Sequence, residues 1–209
     1  MLDALSDEQR QAVEARSSRR TVAAGGVVFH HGDRGDFVVI VERGRLAVQL
    51  STVEGQTATL RVIGPGDVVG ELALLIPGAR RSASVVAIEP SELRIIHQTV
   101  FQDVRARHPQ IDRALVDDLA ARLDRLSNQL IVARYGTIAQ RVAGQLLVLD
   151  DLYLHEWIPM TQDALASLTG GTRQTVNGAL GEARSAGLID LRRGAVRVLD
   201  RVGLGALAG

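Results

Sequence analysis

The sequence contains neither cysteine nor lysine. Without cysteine there can be no disulfide, no thiolate metal site, no catalytic thiol and no cysteine-bound iron–sulfur cluster. All 24 basic residues are arginine, which we attribute to genome composition, and 24 acidic residues balance them. Because the net charge is zero, contact with nucleic acid would have to come from a local excess of positive charge.

Long apolar runs are also missing. No stretch approaches the roughly 18 residues that a membrane span requires. The first ten residues, MLDALSDEQR, have neither a basic n-region nor a long apolar h-region. We therefore expect a cytoplasmic protein with no secretory signal and no membrane partner. With 209 residues, 46% of them hydrophobic, the chain can bury the core of one large domain or two small ones.

The region from about residue 19 to residue 97 has the pattern of β-strands. Short apolar or alternating runs, such as FVVIVERGRLAVQL and RSASVVAIEPSELRIIH, are separated by glycine-containing turns. Many short strands at regular spacing are typical of a sandwich or a small barrel. A helix capped by Ser6 is expected before the strands. From Thr99 onward the pattern becomes helical, which predicts an α+β protein.

A long helix is predicted from about Pro109 to Arg134. Its apolar positions follow heptad spacing: Val116, Leu119, Leu123, Leu126, Leu130 and Ala133. The length favours a coiled coil between two copies of the chain, and hence a two-fold dimer, although packing on its own domain would give the same pattern. Gly136 interrupts the helix, and Thr137 and Gln140 have capping-box spacing for the next one. The predicted domains are 1–108, 109–135 and 136–209.

The last third of the chain contains MTQDALASLTGGTRQTVNGALGEARSAGLI. Thr161 and Thr172 are expected to cap two short helices joined by Gly170 and Gly171, which is the pattern of a helix-turn-helix. The following LIDLRRGAVRVLD predicts a β-hairpin wing. From residue 170 to residue 197 there are five arginines and two acidic residues, an excess of three. That excess suits phosphate contact, although unrelated proteins also join short helices with glycine turns.

The segment GELALLIPGARRSASVVA places an acid and two arginines in an apolar run. Arg81 and Ser82 can bind a phosphate group through a guanidinium fork and a hydroxyl. Glu71 would accept a hydrogen bond from a sugar hydroxyl and would also orient Arg81. These roles together imply a compact nucleotide. An ion pair between Glu71 and Arg81 that merely closes a loop is the structural alternative.

Two motifs carry a family resemblance. GELALLIPGARRSA resembles the phosphate-binding cassette of cyclic-nucleotide-binding domains, and GDRGDFVVIVERGRLAV resembles the strands that precede it. With the long helix, the helix-turn-helix and the wing in this order, the chain is similar to the CRP/FNR family of bacterial transcription regulators from about Leu5 to Val198. The resemblance implies a jelly-roll ligand domain, a dimerisation helix and a winged helix-turn-helix domain.

The resemblance also implies partners. The effector would be a cyclic nucleotide, cAMP first and cGMP second. A homodimer would bind an inverted repeat in double-stranded DNA with half-sites about 34 Å apart, and RNA polymerase is a possible further partner. No enzymatic activity, metal or other cofactor is expected. Haem sensing stays open because the chain has five histidines: His30, His31, His97, His108 and His155. The adjacent His30 and His31 lie in a predicted turn, where solvated or hydrogen-bonded histidines are the preferred interpretation.

The resemblance implies a set of nucleotide-binding residues: Gly70, Glu71, Leu72, Ala73, Arg81, Ser82, Ala83, Ser127 and Asn128. Glu71 would bind the ribose 2′-hydroxyl, and Arg81 and Ser82 the cyclic phosphate. In a cAMP-binding member of the family, a Thr-Ser pair of the long helix recognises adenine. Here Leu126 replaces the threonine, which bears on base recognition but not on sugar or phosphate recognition. Asn128 could replace the missing polar group.

The resemblance implies a second set of residues that contact DNA: Thr161, Gln162, Thr172, Arg173, Gln174, Thr175, Asn177 and Arg193. Arg173 and Gln174 match the pair that recognises base edges, and the threonines match phosphate-contacting positions. Arginine suits guanine, and glutamine suits adenine. The founding member has glutamate in place of Gln174 and a third base-contacting arginine in place of Gly178, so its DNA consensus does not transfer directly.

Two alternatives remain open from the sequence. A regulator of the same fold could bind DNA constitutively or respond to another effector, and Leu126 motivates this alternative. An enzyme controlled by a cyclic nucleotide would need a catalytic module, but residues 137–209 contain no convergent acid, base or nucleophile.

Overall fold

The computed structural model describes residues 6–51 and 57–209. The first predicted domain and the resemblance therefore begin in residues that lie outside the described part of the chain. Two compact units are found: residues 6–51 with 60–123, and residues 57–59 with 124–209. The division falls within the long helix, before Asp124. The domain boundary expected at Gly136 stays a prediction.

The first unit is built on two four-stranded sheets. Their strand orders are β1-β8-β3-β6 and β2-β7-β4-β5, and the strand pairs with a defined register are antiparallel. The strands are β1 (Ser18–Val22), β2 (Val27–Phe29), β3 (Phe37–Arg43), β4 (Leu46–Ser51), β5 (Thr57–Ile63), β6 (Val68–Val69), β7 (Ser84–Ala87) and β8 (Ser91–His97). This is the predicted two-sheet β domain.

The apolar run FVVIV of β3 is explained by burial on both faces of its sheet. Val39 and Val41 belong to the core cluster between the sheets. Val38 and Ile40 belong to a second cluster formed with the helices of this unit. Neighbouring residues of a strand point to opposite faces, so a strand covered on both sides has no polar alternation.

Four helices accompany the sheets: α1 (Asp7–Ala15), α2 (Leu72–Leu75), α3 (Gln98–Arg107) and α4 (Pro109–Tyr135). Ser6 caps α1 with a full capping box, as predicted. Near the start of α4, Ile111 and Leu115 are buried in the second core cluster. Beyond them, Val116, Leu123, Leu126 and Leu130 are exposed.

The second unit contains the predicted helix-turn-helix and hairpin. Its elements are α5 (Ile138–Leu152), α6 (Gln162–Thr169), α7 (Arg173–Ser185), β9 (Ile189–Arg192), β10 (Ala195–Val198) and α8 (Arg201–Ala208). Helix α8 was not predicted, because Gly203 and Gly205 lower helix propensity. Asp200 caps this helix, Leu204 is buried, and α8 packs against α5. In the described ranges, no helix combines the length and apolarity needed to cross a membrane.

Candidate ligand cassette and nucleic-acid interface

The backbone at Gly70 positions the ligand cassette, which we define as residues 70–83. Gly70 has a φ of +89°, and a Cβ there would lie 2.4 Å from Nη1 of Arg81. Only glycine combines the left-handed conformation with this close approach. The cassette is therefore built around the side chain of Arg81.

Arg81 is 2% exposed and lies in a pocket of aromatic rings and carbonyl groups. Nη1 donates to the Gly70 carbonyl at 2.8 Å and Nη2 to the Phe37 carbonyl at 2.7 Å. Its guanidinium carbon lies 4.2 Å from the ring centre of Phe29 and 4.5 Å from that of Phe37. Within the described chain, the buried Nε–H has no hydrogen-bond partner. The side chain is thus held in place and keeps a free donor.

Burial is the main influence on the pKa of Arg81 and lowers it from its ordinary value. The negative charges of Asp36, Asp33 and Glu71 act in the opposite direction. A cation with little water around it interacts strongly with an anion that enters its surroundings.

Glu71 is also 2% exposed, but its partner is Arg122 of α4. Nη1 of Arg122 donates to Oε1 of Glu71 at 2.5 Å, and Nη2 donates to the Val68 carbonyl at 2.9 Å. Arg122 also forms an ion pair with Asp118 at 2.5 Å. Oε2 of Glu71 is buried and has no hydrogen-bond partner among the described residues.

The expectation that Glu71 orients Arg81 is therefore wrong. Two backbone carbonyls orient Arg81. Glu71 instead accepts a hydrogen bond from Arg122 of α4, 51 residues later in the chain. The structural alternative, an ion pair between Glu71 and Arg81, is not formed among the described residues either. Sequence reasoning missed Arg122 because α4 carries several arginines and no local pattern distinguishes this one.

The other predicted ligand residues divide into two groups. Ala73 is buried. A Cβ added to Gly35 would lie only 2.2 Å from the Cβ of Ala73, so both positions need small residues. Leu72 is half-buried, Ser82 is exposed and Ala83 is buried. Ser127 and Asn128 are exposed on the part of α4 that belongs to the second unit.

The helix-turn-helix of the second unit is held by threonine caps and a glycine turn. Oγ1 of Thr161 accepts from the Ala164 amide at 3.1 Å, and Oγ1 of Thr172 accepts from the Thr175 amide at 3.2 Å. Gly170 has a φ of +64° and ends α6. The three predicted phosphate-contacting threonines, Thr161, Thr172 and Thr175, thus all lie at helix starts, and the first two serve as caps.

The predicted DNA-contacting residues of α7, Arg173, Gln174 and Asn177, are all exposed near the start of the helix. Asn177 lies four residues after Arg173 and three after Gln174, spacings that make side chains neighbours on a helix surface. Among the residues that the structure describes, the Arg173 side chain pairs with Asp163 alone, at a long 3.4 Å. Gln162 donates to the Asn177 side chain at 2.8 Å, which links α6 to α7.

A cleft of about 440 Å³ separates the starts of α6 and α7 from the wing. Its charged lining residues are Arg173, Arg192 and Arg193 and one acid, Asp163. The guanidinium of Arg192 stacks over Trp157 at 4.3 Å from the ring centre, whereas Arg193 is exposed at the tip of the hairpin. The excess of positive charge in this cleft suits contact with an anionic chain beside α7, the recognition helix of the helix-turn-helix.

One described group of side chains, Asp150, Asp151 and His155, has the proximity of metal ligands. Arg201 bonds to Asp150 and lies 2.8 Å from Asp151, and Nδ1 of His155 lies 2.8 Å from Asp150. Arg201 already forms ion pairs with both acids and joins α8 to α5, so this group is explained as a structural contact.

Two family models match the chain. A cyclic nucleotide-binding domain matches residues 19–108, and a Crp-like helix-turn-helix domain matches residues 140–207. The cyclic AMP receptor protein of Thermus thermophilus is 31% identical over 94% of this chain and 90% of that protein. A CRP-like cAMP-activated global transcriptional regulator of Mycobacterium tuberculosis is also 31% identical, over 84% of this chain and 81% of its own length.

Solved structures agree with these matches. The catabolite activator protein of Thermus thermophilus has a TM-score of 0.57 and 29% identity, and the match covers 99% of this chain and 97% of that one. FixK2 from Bradyrhizobium japonicum has a TM-score of 0.81 at 18% identity, covering 92% and 98%, which shows the fold alone. The fold and the cassette define a DNA-binding transcription regulator with a cyclic-nucleotide-binding domain. The chain belongs to the CRP/FNR family, as the resemblance predicted.

Proposed function

We propose that this regulator is a homodimer in which a cyclic nucleotide, bound in the cassette of each copy, controls binding to an inverted-repeat DNA site. The relatives named for cAMP make cAMP the first effector to consider and cGMP the second. The cytoplasm is the proposed location, and RNA polymerase is the proposed further partner.

The observation that carries this proposal is a pair of buried atoms without partners. Among the described residues, Oε2 of Glu71 is a buried acceptor without a donor, and Nε–H of Arg81 is a buried donor without an acceptor. Buried polar groups are nearly always hydrogen-bonded, and each unsatisfied one costs about 1–3 kcal/mol. A cyclic nucleotide offers a ribose hydroxyl to the first atom and a phosphate oxygen to the second. One ligand of this class can therefore complete both groups.

The contacts of Arg122 suggest how the ligand would be sensed. This arginine connects Glu71 to α4 and also bonds to Val68 and Asp118. A hydroxyl that binds Glu71 changes the electrostatic surroundings of Arg122 and so acts on the helix. Coupling of this kind corresponds to about 1–3 kcal/mol between two states.

The exposed apolar face of α4 supports the dimer. Val116, Leu123, Leu126 and Leu130 are each more than half exposed and follow the heptad seam. A second copy of the helix would bury them. Sedimentation should therefore give a dimer, and Leu123→Glu should give a monomer. The matched control is Asp124→Glu, because Asp124 is an exposed neighbour outside the seam.

The exposed residues of the helix-turn-helix would recognise DNA. In this proposal Arg173 and Gln174 contact bases, and Gln162, Asn177 and Arg193 contact the backbone or the base edges. The hydroxyls of Thr161, Thr172 and Thr175 contact phosphates. The two recognition helices of the dimer would then bind half-sites about 34 Å apart.

The decisive experiment combines calorimetry with a mobility-shift selection from random double-stranded DNA. We expect heat of binding for at least one of cAMP and cGMP, and a nucleotide-dependent gain of bound DNA that carries an inverted repeat. Absence of heat for both, with DNA binding intact, would refute effector control by these nucleotides. That result would instead favour a constitutive regulator, or one with another effector, for which Leu126 is the motivation.

A further inference from the structure

Asp163 is an acidic residue within the surface that the proposed function assigns to DNA. It is the second residue of α6 and lines the cleft beside α7, where the other described charged residues are arginines. A carboxylate repels the phosphate groups of DNA, so an acid at this place is unexpected. An acid in the first turn of a helix interacts favourably with the helix dipole. That interaction explains an acid in α6 but not its contact with α7.

Asp163 pairs with the residue of α7 that the proposed function places on a base. Its Oδ2 lies 3.4 Å from Nη1 of Arg173, the first residue of α7. A cation at the start of a helix lies at the positive end of the helix dipole, which is unfavourable. Arg173 is therefore poorly placed for the stability of α7, and Asp163 supplies the opposite charge. The pair connects the first turns of the two helices.

A second bond joins α6 and α7 next to this pair. The Gln162 side-chain amide donates to Oδ1 of Asn177 at 2.8 Å. Gln162 precedes Asp163 in α6, and Asn177 lies one turn after Arg173 in α7. The first turn of α6 therefore supports the part of α7 that carries the exposed polar residues, and Asp163 belongs to this support.

The ion pair uses a donor of Arg173 that a guanine contact does not need. Nη1 is the nitrogen that contacts Asp163, whereas Nε–H and Nη2–H of a guanidinium point in one direction and form a fork. Such a fork matches O6 and N7 of guanine. Asp163 can thus restrain the guanidinium plane while the fork contacts the base. When DNA covers the pair and removes water, the attraction between the two charges increases.

We propose that Asp163 is a positioning residue that makes DNA recognition by Arg173 more specific. This inference rests on the proposed function and deepens it. The carboxylate holds the guanidinium in the orientation that suits guanine. It also opposes the approach of phosphate groups, which Arg173 would otherwise bind without regard to sequence. Specific binding gains the oriented base contact, whereas non-specific binding meets only the repulsion.

The test is titration of the full-length protein with DNA duplexes of equal length. They are the selected operator, the operator changed at the base pair for which Arg173→Ala loses preference, and a scrambled sequence. Nucleotide and salt are those that gave operator binding. Asp163→Asn should bind the scrambled duplex about three- to tenfold more tightly, because one negative charge leaves the surface. Its discrimination against the changed base pair should fall by about the same factor.

Dependence on Arg173 separates positioning from a general effect of charge. In an Arg173→Ala background, Asp163→Asn should change discrimination at that base pair by less than about twofold. Glu182→Gln is the matched control, because it removes an exposed acid from the far half of α7. This control should keep the wild-type discrimination. Urea unfolding of each variant checks that the domain stays folded.

Three results would overturn the inference. Unchanged discrimination in Asp163→Asn, with Arg173→Ala still losing it, would refute the positioning role and leave the proposed function standing. A loss of preference that persists without Arg173 would instead assign Asp163 to direct contact with a base. If Arg173→Ala changes preference at no base pair, or if no operator is selected, the inference and base recognition by Arg173 fail together.

Discussion

The cassette and the helix-turn-helix place their functional side chains in opposite environments. In the cassette, Glu71 and Arg81 are 2% exposed and are fixed by hydrogen bonds. On the recognition helix, the Arg173 side chain is 69% exposed and has one weak ion pair. A small ligand can be enclosed by its site, whereas a DNA groove can be contacted only from a surface.

This difference determines what mutations should do. A buried polar side chain supports the fold as well as the ligand, so its loss should change both stability and binding. An exposed side chain on a capped helix supports only the contact it makes. Substitutions in the two regions can therefore test whether the comparison holds.

We expect the largest effect from Arg81→Ala. Nucleotide binding should fall by about 100-fold or more, because a desolvated charge and its phosphate contact are lost. Stability should fall as well, by about 1–3 kcal/mol for each carbonyl left unpaired. Calorimetry and urea unfolding measure the two effects. The control is Arg80→Ala, which removes an exposed neighbour whose side chain, within the described part of the protein, bonds to the Gly32 carbonyl and to nothing else. Unchanged nucleotide binding in Arg81→Ala would refute the role of Arg81.

A smaller effect is expected from Glu71→Gln. The amide keeps the size of the side chain but weakens both the bond to Arg122 and the acceptor for a ribose hydroxyl, so nucleotide binding should fall by about tenfold. A double-mutant cycle with Arg122→Met should give a coupling of about 0.5–3 kcal/mol in urea unfolding. If the two changes in unfolding free energy simply add, Glu71 and Arg122 do not stabilise each other.

Arg173→Ala should affect DNA recognition alone. We expect a loss of about 1–3 kcal/mol of discrimination between the selected operator and a sequence changed at one base pair. Nucleotide binding and unfolding should stay as in the wild type, because the side chain is exposed. Arg184→Ala, in the last turn of the same helix, is the matched control. Loss of stability in Arg173→Ala would break the contrast between the two regions.

The smallest effect is expected from Arg193→Ala on the wing. Loss of one phosphate contact should weaken binding by a similar factor for every sequence and reduce the slope of log affinity against log salt by about one. Titrations at several salt concentrations measure this slope. A change in sequence preference would instead assign Arg193 to base recognition.

Local patterns in the sequence were enough to predict several elements. The caps at Ser6, Thr137, Thr161 and Thr172 all occur where the side chains suggested. Each cap joins residues three apart, so its geometry is contained in a few neighbouring positions. Helix α8 escaped prediction because its stability comes from the cap and from packing on α5.

The order of the cassette, long helix and helix-turn-helix, and the side-chain types they contain, followed from the sequence itself. The tertiary structure alone decided which residues form hydrogen bonds with Arg81 and Glu71. Arg81 bonds to carbonyls 11 and 44 residues away, and Glu71 bonds to an arginine 51 residues away. Such pairs depend on how sheets and helices pack, and neither hydrophobic period nor residue spacing records that packing. Local hydrogen bonds determine caps and turns, whereas the bonding partner of a buried charged side chain depends on the whole fold.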